Sequence, residues 1–169
     1  MERITQNRLR ELLHYDPLTG VFTRLVKTAA CVNVGDIAGS KETEGYLRIF
    51  IDGRSYKAHV LAWLYMHGVW PDKLIDHKDT IRHHNWLTNL RPATRSENGQ
   101  NMRKATARSK TGLLGVSWDK KMKQYRADIM IGKKQVRLGF FGQDETAASN
   151  AYLAAKLAHH PFQTLVVTS

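Results

Sequence analysis

Four residues between Asp76 and Asn98 have types and spacing that suit metal-assisted attack on a phosphate. The stretch reads DHKDTIRHHNWLTNLRPATRSEN. An acid and an imidazole stand side by side as Asp76-His77, at the end of the apolar pair Leu74-Ile75, so they leave a short strand into a loop. The polar run Lys78 to Thr88 follows, and the chain returns as Asn89-Leu90-Arg91. After Pro92 comes Thr94-Arg95-Ser96-Glu97, whose Thr-x-x-Glu spacing is that of a capping box opening a helix. Asn98 falls in the first turns of that helix.

Strand, loop, strand and helix therefore bring Asp76 and Asn98 toward one small cleft. A carboxylate and an amide oxygen are hard oxygen ligands of the kind magnesium accepts, and two such ligands leave positions for water and a substrate phosphate. His77 titrates near neutrality and can act as a base toward a water attacking phosphorus, while Asn89 holds the loop. Taken singly, each residue has a plainer reading: Asp-His is a common solvated turn, and asparagines cap turns and helices. The four together, at this spacing, favour chemistry. His83 and His84 read as loop residues open to nucleic acid. With one cysteine in the chain and no Cys-x-x-Cys or spaced histidine pair on a helix, no structural zinc is expected.

Asp76, His77, Asn89 and Asn98 together resemble the HNH endonucleases, in the phage and intron-encoded branch where asparagine replaces the second histidine. The resemblance implies a ββα-metal fold in which Asp76 and Asn98 bind one divalent ion, magnesium or alternatively manganese. It also implies that His77 is the general base and that Asn89 orients it or its loop. The usual Asp-Gly-Asn turn after the histidine is Asp79-Thr80-Ile81 here, and His84-Asn85 stands at a customary Asn-Asn pair.

The elements that must hold these residues precede them. Thr5 caps a helix expected to run to about Tyr15, and Asp16-Pro17-Leu18-Thr19-Gly20 ends it in a turn before a strand over 21–26. A loop follows to about Glu44, with extended pieces near Cys31 to Val34. Residues 45–51 and 54–57 are strands joined by Asp52-Gly53, a turn type that needs positive φ. Ala58 to His67 is apolar on more than one face, with Gly68 placed as a C-terminal cap, and so reads as a buried helix. An Ala-His-x-Leu-Ala-Trp string of the family recurs there, and His59 reads as a hydrogen-bonded core residue.

Composition sets the frame. The 169 residues include 42% apolar side chains, enough for folded cores, and carry a formal net charge of +11, which implies a polyanionic partner. Residues 102–143 concentrate it, with 11 Lys and Arg against 2 Asp and Glu; residues 1–101 have 14 against 11. No basic amphipathic helix stands out and no run of about 18 apolar residues offers a membrane span. The N-terminal MERITQNRLR lacks the apolar core of a signal peptide, and the lone Cys31 fits a reducing compartment. A soluble protein of a bacterial or phage-infected cytoplasm is expected, with double-stranded DNA as partner and no obligate protein partner.

Residues 102–111 read as a basic linker, a tether or an arm along phosphates. From Gly112 the pattern turns to β, with strands at about 114–118, 124–131 and 134–140. Tyr125, Ala127, Ile129, Ile131, Val136, Leu138 and Phe140 are expected on one face and Arg126, Asp128, Met130, Gln135 and Arg137 on the other. A helix to about His159 covers the apolar face with Ala147, Ala148, Ala151, Tyr152 and Ala155. Gly115-Val116, Tyr125 to Ile129, Leu138 to Phe141 and this helix resemble the Apetala-two/ethylene-response-factor DNA-binding domain. That resemblance implies a sheet lying in the major groove. Gln135, Arg137 and Arg126 then stand as base readers, and Lys120, Lys121, Lys123, Lys133 and Lys134 as phosphate contacts.

The expectation is an α+β protein: a ββα-metal nuclease domain over 1–101, the linker, and a three-stranded antiparallel sheet on one helix over 112–169. Its expected reaction is hydrolysis of DNA phosphodiester bonds. The alternative is a DNA-binding regulator that keeps the nuclease fold without cutting.

Overall fold

The computed structural model describes residues 3–102 and 104–163. It is a mixed α+β chain that separates into two compact units, Met1–Thr94 and Arg95–Ser169. The short helix carrying Asn98 thus groups with the second unit.

In the first unit, α1 (Gln6–Leu12) begins where the Thr5 hydroxyl accepts from the backbone N–H of Arg8. It is shorter than expected. Leu13–Tyr15 is a strand, β1, paired antiparallel with β2 (Phe22–Arg24). Alternation explains the change: Leu13 and Tyr15 are buried with His14 exposed between them, a period of two that a helix cannot satisfy. The Asp16–Gly20 turn joins these strands, with Asp16 Oδ1 accepting from Leu18 N–H and Gly20 at φ 76°. The expected extended pieces at 31–34 are turns; the strand in this region is β3 (Ser40–Lys41). It lacks the apolar alternation that would mark it.

β3, β4 (Leu47–Ile51) and β5 (Arg54–Lys57) form an antiparallel sheet. Its hairpin turns on Asp52 and Gly53 at φ 47° and 76°, the left-handed pair that matches strand twist. α2 (Ala58–His67) follows without a loop and ends on Gly68 at φ 76°. Its Leu61, Ala62 and Leu64 bury against Leu9, Leu13, Tyr15, Phe22 and Ile49 in one core. Beyond it, β6 (Leu74–His77) pairs antiparallel with β7 (Leu90–Ala93).

The second unit contains α3 (Arg95–Gln100) and the sheet of β8 (Val116–Asp119), β9 (Gln124–Ile131) and β10 (Lys134–Phe140), in the order β10-β9-β8. α4 (Glu145–His159), capped by the Asp144 carboxylate on Ala147 N–H, lies on one face. The core there is small: Val116, Ala127 and Ala148, packed round by Leu113, Tyr125, Leu138, Phe141 and Tyr152. A Cβ on Gly115 would sit 2.0 Å from the Tyr152 ring, so helix and sheet meet as closely as glycine permits.

One sequence expectation about this sheet is corrected. The β9–β10 register shifts between Arg137 and Gly139, so Phe140 falls opposite Arg126 rather than on the helix side. The bulge turns Phe140 onto the open face, and Phe141 takes the core position instead. At the start of this unit the basic linker is partly tied down: Asn101 is buried, and the buried Lys156 ammonium donates to the Met102 carbonyl.

Candidate active site

Antiparallel pairing of β6 with β7 sets Asp76 opposite Arg91 and His77 opposite Leu90. Ile75 and His77 share one face of this ladder and Ala93 and Asp76 the other, and all four are buried, so each of Asp76 and His77 lies on a covered face. Both are nearly inaccessible, Asp76 at 8% and His77 at 4% exposure. One oxygen of the Asp76 carboxylate, Oδ2, accepts from Arg91 Nε at 3.1 Å and Nη2 at 3.0 Å.

The His77 ring is held on several sides. Its Nε2 lies 3.1 Å from Asn85 Oδ1, the His59 ring meets it edge-on at 4.9 Å between centroids, and Tyr46 packs at 6.0 Å. Burial pushes the His77 imidazole below its ordinary pKa, opposed by the Asn85 hydrogen bond and by the charges of Asp79 and Asp76. The base form therefore persists to more acidic pH than for a solvated histidine.

His59 comes from α2, 5% exposed, and its pKa is pushed down to about 3, first by burial and then by His77 and Lys57. It is a core residue, as its apolar helix implies, but among the described residues its Nδ1 has no hydrogen-bond partner. Its neighbours are rings: Tyr46 at 5.3 Å as well as His77. Tyr46 in turn lies under two cations, with Lys57 Nζ 4.1 Å and Arg82 Cζ 4.9 Å from its centroid.

Asn89 is at the end of a single 3-10 turn, Leu87–Asn89, and spans the loop with its side chain. Its Oδ1 accepts from Asp79 N–H at 3.1 Å, while Nδ2 donates to Asp79 Oδ1 at 3.0 Å and to the His84 carbonyl at 2.8 Å. His84 closes the same knot, its Nδ1 2.6 Å from Asp79 Oδ2. Burial works against the Asp79 anion, but hydrogen bonds from Ile81 N–H, His84 and Asn89 outweigh it and hold the carboxyl below its usual range. His84 thus serves the loop rather than standing open. Asn98 is exposed on α3, in the second unit.

Asn85 is the residue that sequence reasoning passed over. It is 1% exposed and touches the His77 ring, yet in the chain it reads as one half of an imperfect Asn-Asn pair inside a polar loop. Its backbone carbonyl accepts from the Tyr15 phenol at 2.7 Å, across 70 residues, and local patterning carries no trace of that contact.

Residues 56–100 match the HNH endonuclease family model. The matched segment spans β5 to α3 and includes Asp76, His77, Asn85, Asn89 and Asn98. A solved structure of the HNH homing endonuclease I-HmuI, described as "DNA binding and cleavage by the HNH homing endonuclease I-HmuI", is similar at 25% identity and a TM-score of 0.44. The similarity covers 60% of this chain and 57% of that one. No curated protein matches.

The sequence-expected DNA contacts of the second unit gather on the sheet face away from α4. Arg126, Gln135 and Arg137 share that face, Gln135 and Arg137 exposed, and Arg137 stacks on Phe140 at 5.3 Å. Acids are interleaved with them. Arg126 Nε is 2.7 Å from Asp128 Oδ2 and its Nη1 is 3.5 Å from Asp119, while Arg137 Nε is 3.6 Å from Asp128 Oδ1. Lys120, Lys121 and Lys123 flank the β8–β9 turn and Lys133 and Lys134 the β9–β10 turn, all exposed.

Proposed function

We propose that this protein is a metal-dependent DNA endonuclease in which His77 is the general base and the second unit's open sheet face binds DNA. The observation that carries this reading is the buried Asp76-His77 pair at the end of β6, inside the segment that matches the HNH endonuclease model. A buried carboxylate beside a buried, neutral imidazole suits phosphodiester hydrolysis.

The ligand types that the family resemblance implies suit a hard divalent ion. Of these, Asp76 offers a carboxylate and Asn98 an amide oxygen, hard donors of the kind magnesium accepts. A bound magnesium or manganese ion would supply Lewis-acid stabilisation of charge on the phosphate. His77 takes one proton from the attacking water. The water oxygen forms a bond to phosphorus, one bridging P–O bond breaks, and the leaving oxygen takes a proton from solvent. Asn89 keeps the loop closed around the histidine through Asp79.

On the second unit, Gln135 and Arg137 are exposed on one face and suit base edges, with Arg126 beside them between its two acids. The turn lysines suit phosphates, which position without specifying. Incubation with supercoiled plasmid, with and without magnesium, tests the whole reading. Relaxed or linear product that disappears in His77→Ala supports it; unchanged plasmid bound with strong salt dependence would instead identify a DNA-binding regulator.

A further inference from the structure

Asn85 is gripped from outside the matched segment. The Tyr15 phenol donates to its carbonyl, Leu87 N–H donates to the Pro17 carbonyl at 2.9 Å, and a Cβ on Gly20 would lie 2.3 Å from Asn85 C and Trp86 N. All three come from the Leu13–Arg24 hairpin, which precedes residues 56–100 by more than thirty positions. Burial raises the Tyr15 pKa, so the phenol stays a donor at any working pH. The hairpin therefore holds the backbone of residues 85–87, from which the Asn85 side chain reaches His77 Nε2.

We infer that Asn85 is a positioning residue for His77: its Oδ1 accepts from Nε2–H, holds the ring, and leaves Nδ1 as the nitrogen that takes the proton. The β1–β2 hairpin is the brace that makes this possible. With Asn85 Oδ1 facing it, the imidazole nitrogen is the donor, since an amide oxygen only accepts. In the neutral ring the other nitrogen then holds the lone pair. When that nitrogen gains a proton, the Nε2–H bond to Asn85 becomes charge-assisted and strengthens, which favours the proton-accepting step over the resting state. The role of Asn85 rests on the reading of His77 as the base; the contact and tautomer do not.

Two substitutions separate an acceptor from mere filling of space. Asn85→Leu keeps the branched outline and removes the acceptor, and Asn85→Asp keeps Oδ1. Steady-state plasmid cutting in magnesium by Asn85→Leu is expected to fall about 10- to 100-fold in kcat with KM unchanged, as for other outer partners of site histidines. Asn85→Asp should stay within about fivefold of wild type, and Tyr15→Phe should lose a smaller factor, again in kcat alone. Long-range 1H–15N spectra of the full chain without metal report the tautomer directly, whether or not either variant folds. Wild type should show His77 protonated at Nε2. A His77 protonated at Nδ1, wild-type cutting by a folded Asn85→Leu, or equal losses in both Asn85 variants would each overturn the inference. Wild-type cutting by His77→Ala would sink the base assignment instead, leaving the spectra to judge the contact.

Discussion

Arg91 directs two N–H groups at the same oxygen of Asp76, across a pair of directly opposed strand residues. The side chains are 19% and 9% exposed, so the pair is largely withdrawn from solvent. Removing one member of such a pair costs about 3–5 kcal/mol because the other charge stays buried. Asp76→Ala is thus expected to lower stability by roughly that amount, whereas Asp76→Asn keeps an acceptor for Arg91 and should lose less. Asp76→Asn should still reduce plasmid cutting at least about 100-fold and raise the magnesium concentration needed for half-maximal rate, since an amide is the weaker ligand. Urea unfolding and a magnesium titration of cutting separate the two effects. Full activity at ordinary magnesium would remove Asp76 from the metal site.

Thr80 stands at φ 65° in the loop after His77. A β-branched residue is strained there, and the related motif has glycine at this place in its turn. Thr80→Gly should raise stability by about 1 kcal/mol, the relief of strain exceeding glycine's entropy cost. Chemical denaturation is the check, and a loss of stability would mean that the threonine side chain contributes more than the strain removes.

Stability should fall as pH drops through the histidine range because of His59. The unfolded residue takes a proton near pH 6.5 while the folded one resists until about pH 3, so the unfolded chain binds more protons between those values. The contribution is complete above pH 6.5 and is lost on acidification at up to about 1.4 kcal/mol per pH unit. Urea midpoints between pH 6.5 and 4.5, above the carboxylates, should decline in wild type and decline less in His59→Gln. Parallel curves for the two proteins would contradict the assignment.

The bulge in β10 makes neighbouring phenylalanines unequal. Phe140→Ala, on the open face, should cost less than about 1 kcal/mol. Phe141→Ala, packed in the small core, should cost about 2–3 kcal/mol. Thermal unfolding of both variants measures this. The reverse order would mean that the strand runs without a register shift.

Much of this was legible in the chain because it is local. Asp52-Gly53 announced its hairpin, Gly68 its helix end, and β9 and β10 occupy the residues that alternation marks. The Asp76-His77 pair stands out in the chain by type and spacing, and the structure buries both side chains. What escaped depends on partners distant in sequence. Leu13–Tyr15 is a strand because Phe22–Arg24 pairs with it, and Phe140 is displaced by a register shift that no count along β10 reveals. Asn85 matters through Tyr15 and His77, which sit 70 positions before it and 8 before it.

The interleaved acids on the second unit's sheet carry a further consequence. Arg126, Arg137, Asp119 and Asp128 form a patch of two guanidinium and two carboxylate groups with no net charge, while the lysines sit at its two ends. A uniformly anionic rod gains little at such a centre. If this face binds DNA as proposed, added electrolyte should weaken attachment at the lysine ends and barely touch the middle, where fit depends on matching hydrogen-bond donors to acceptors.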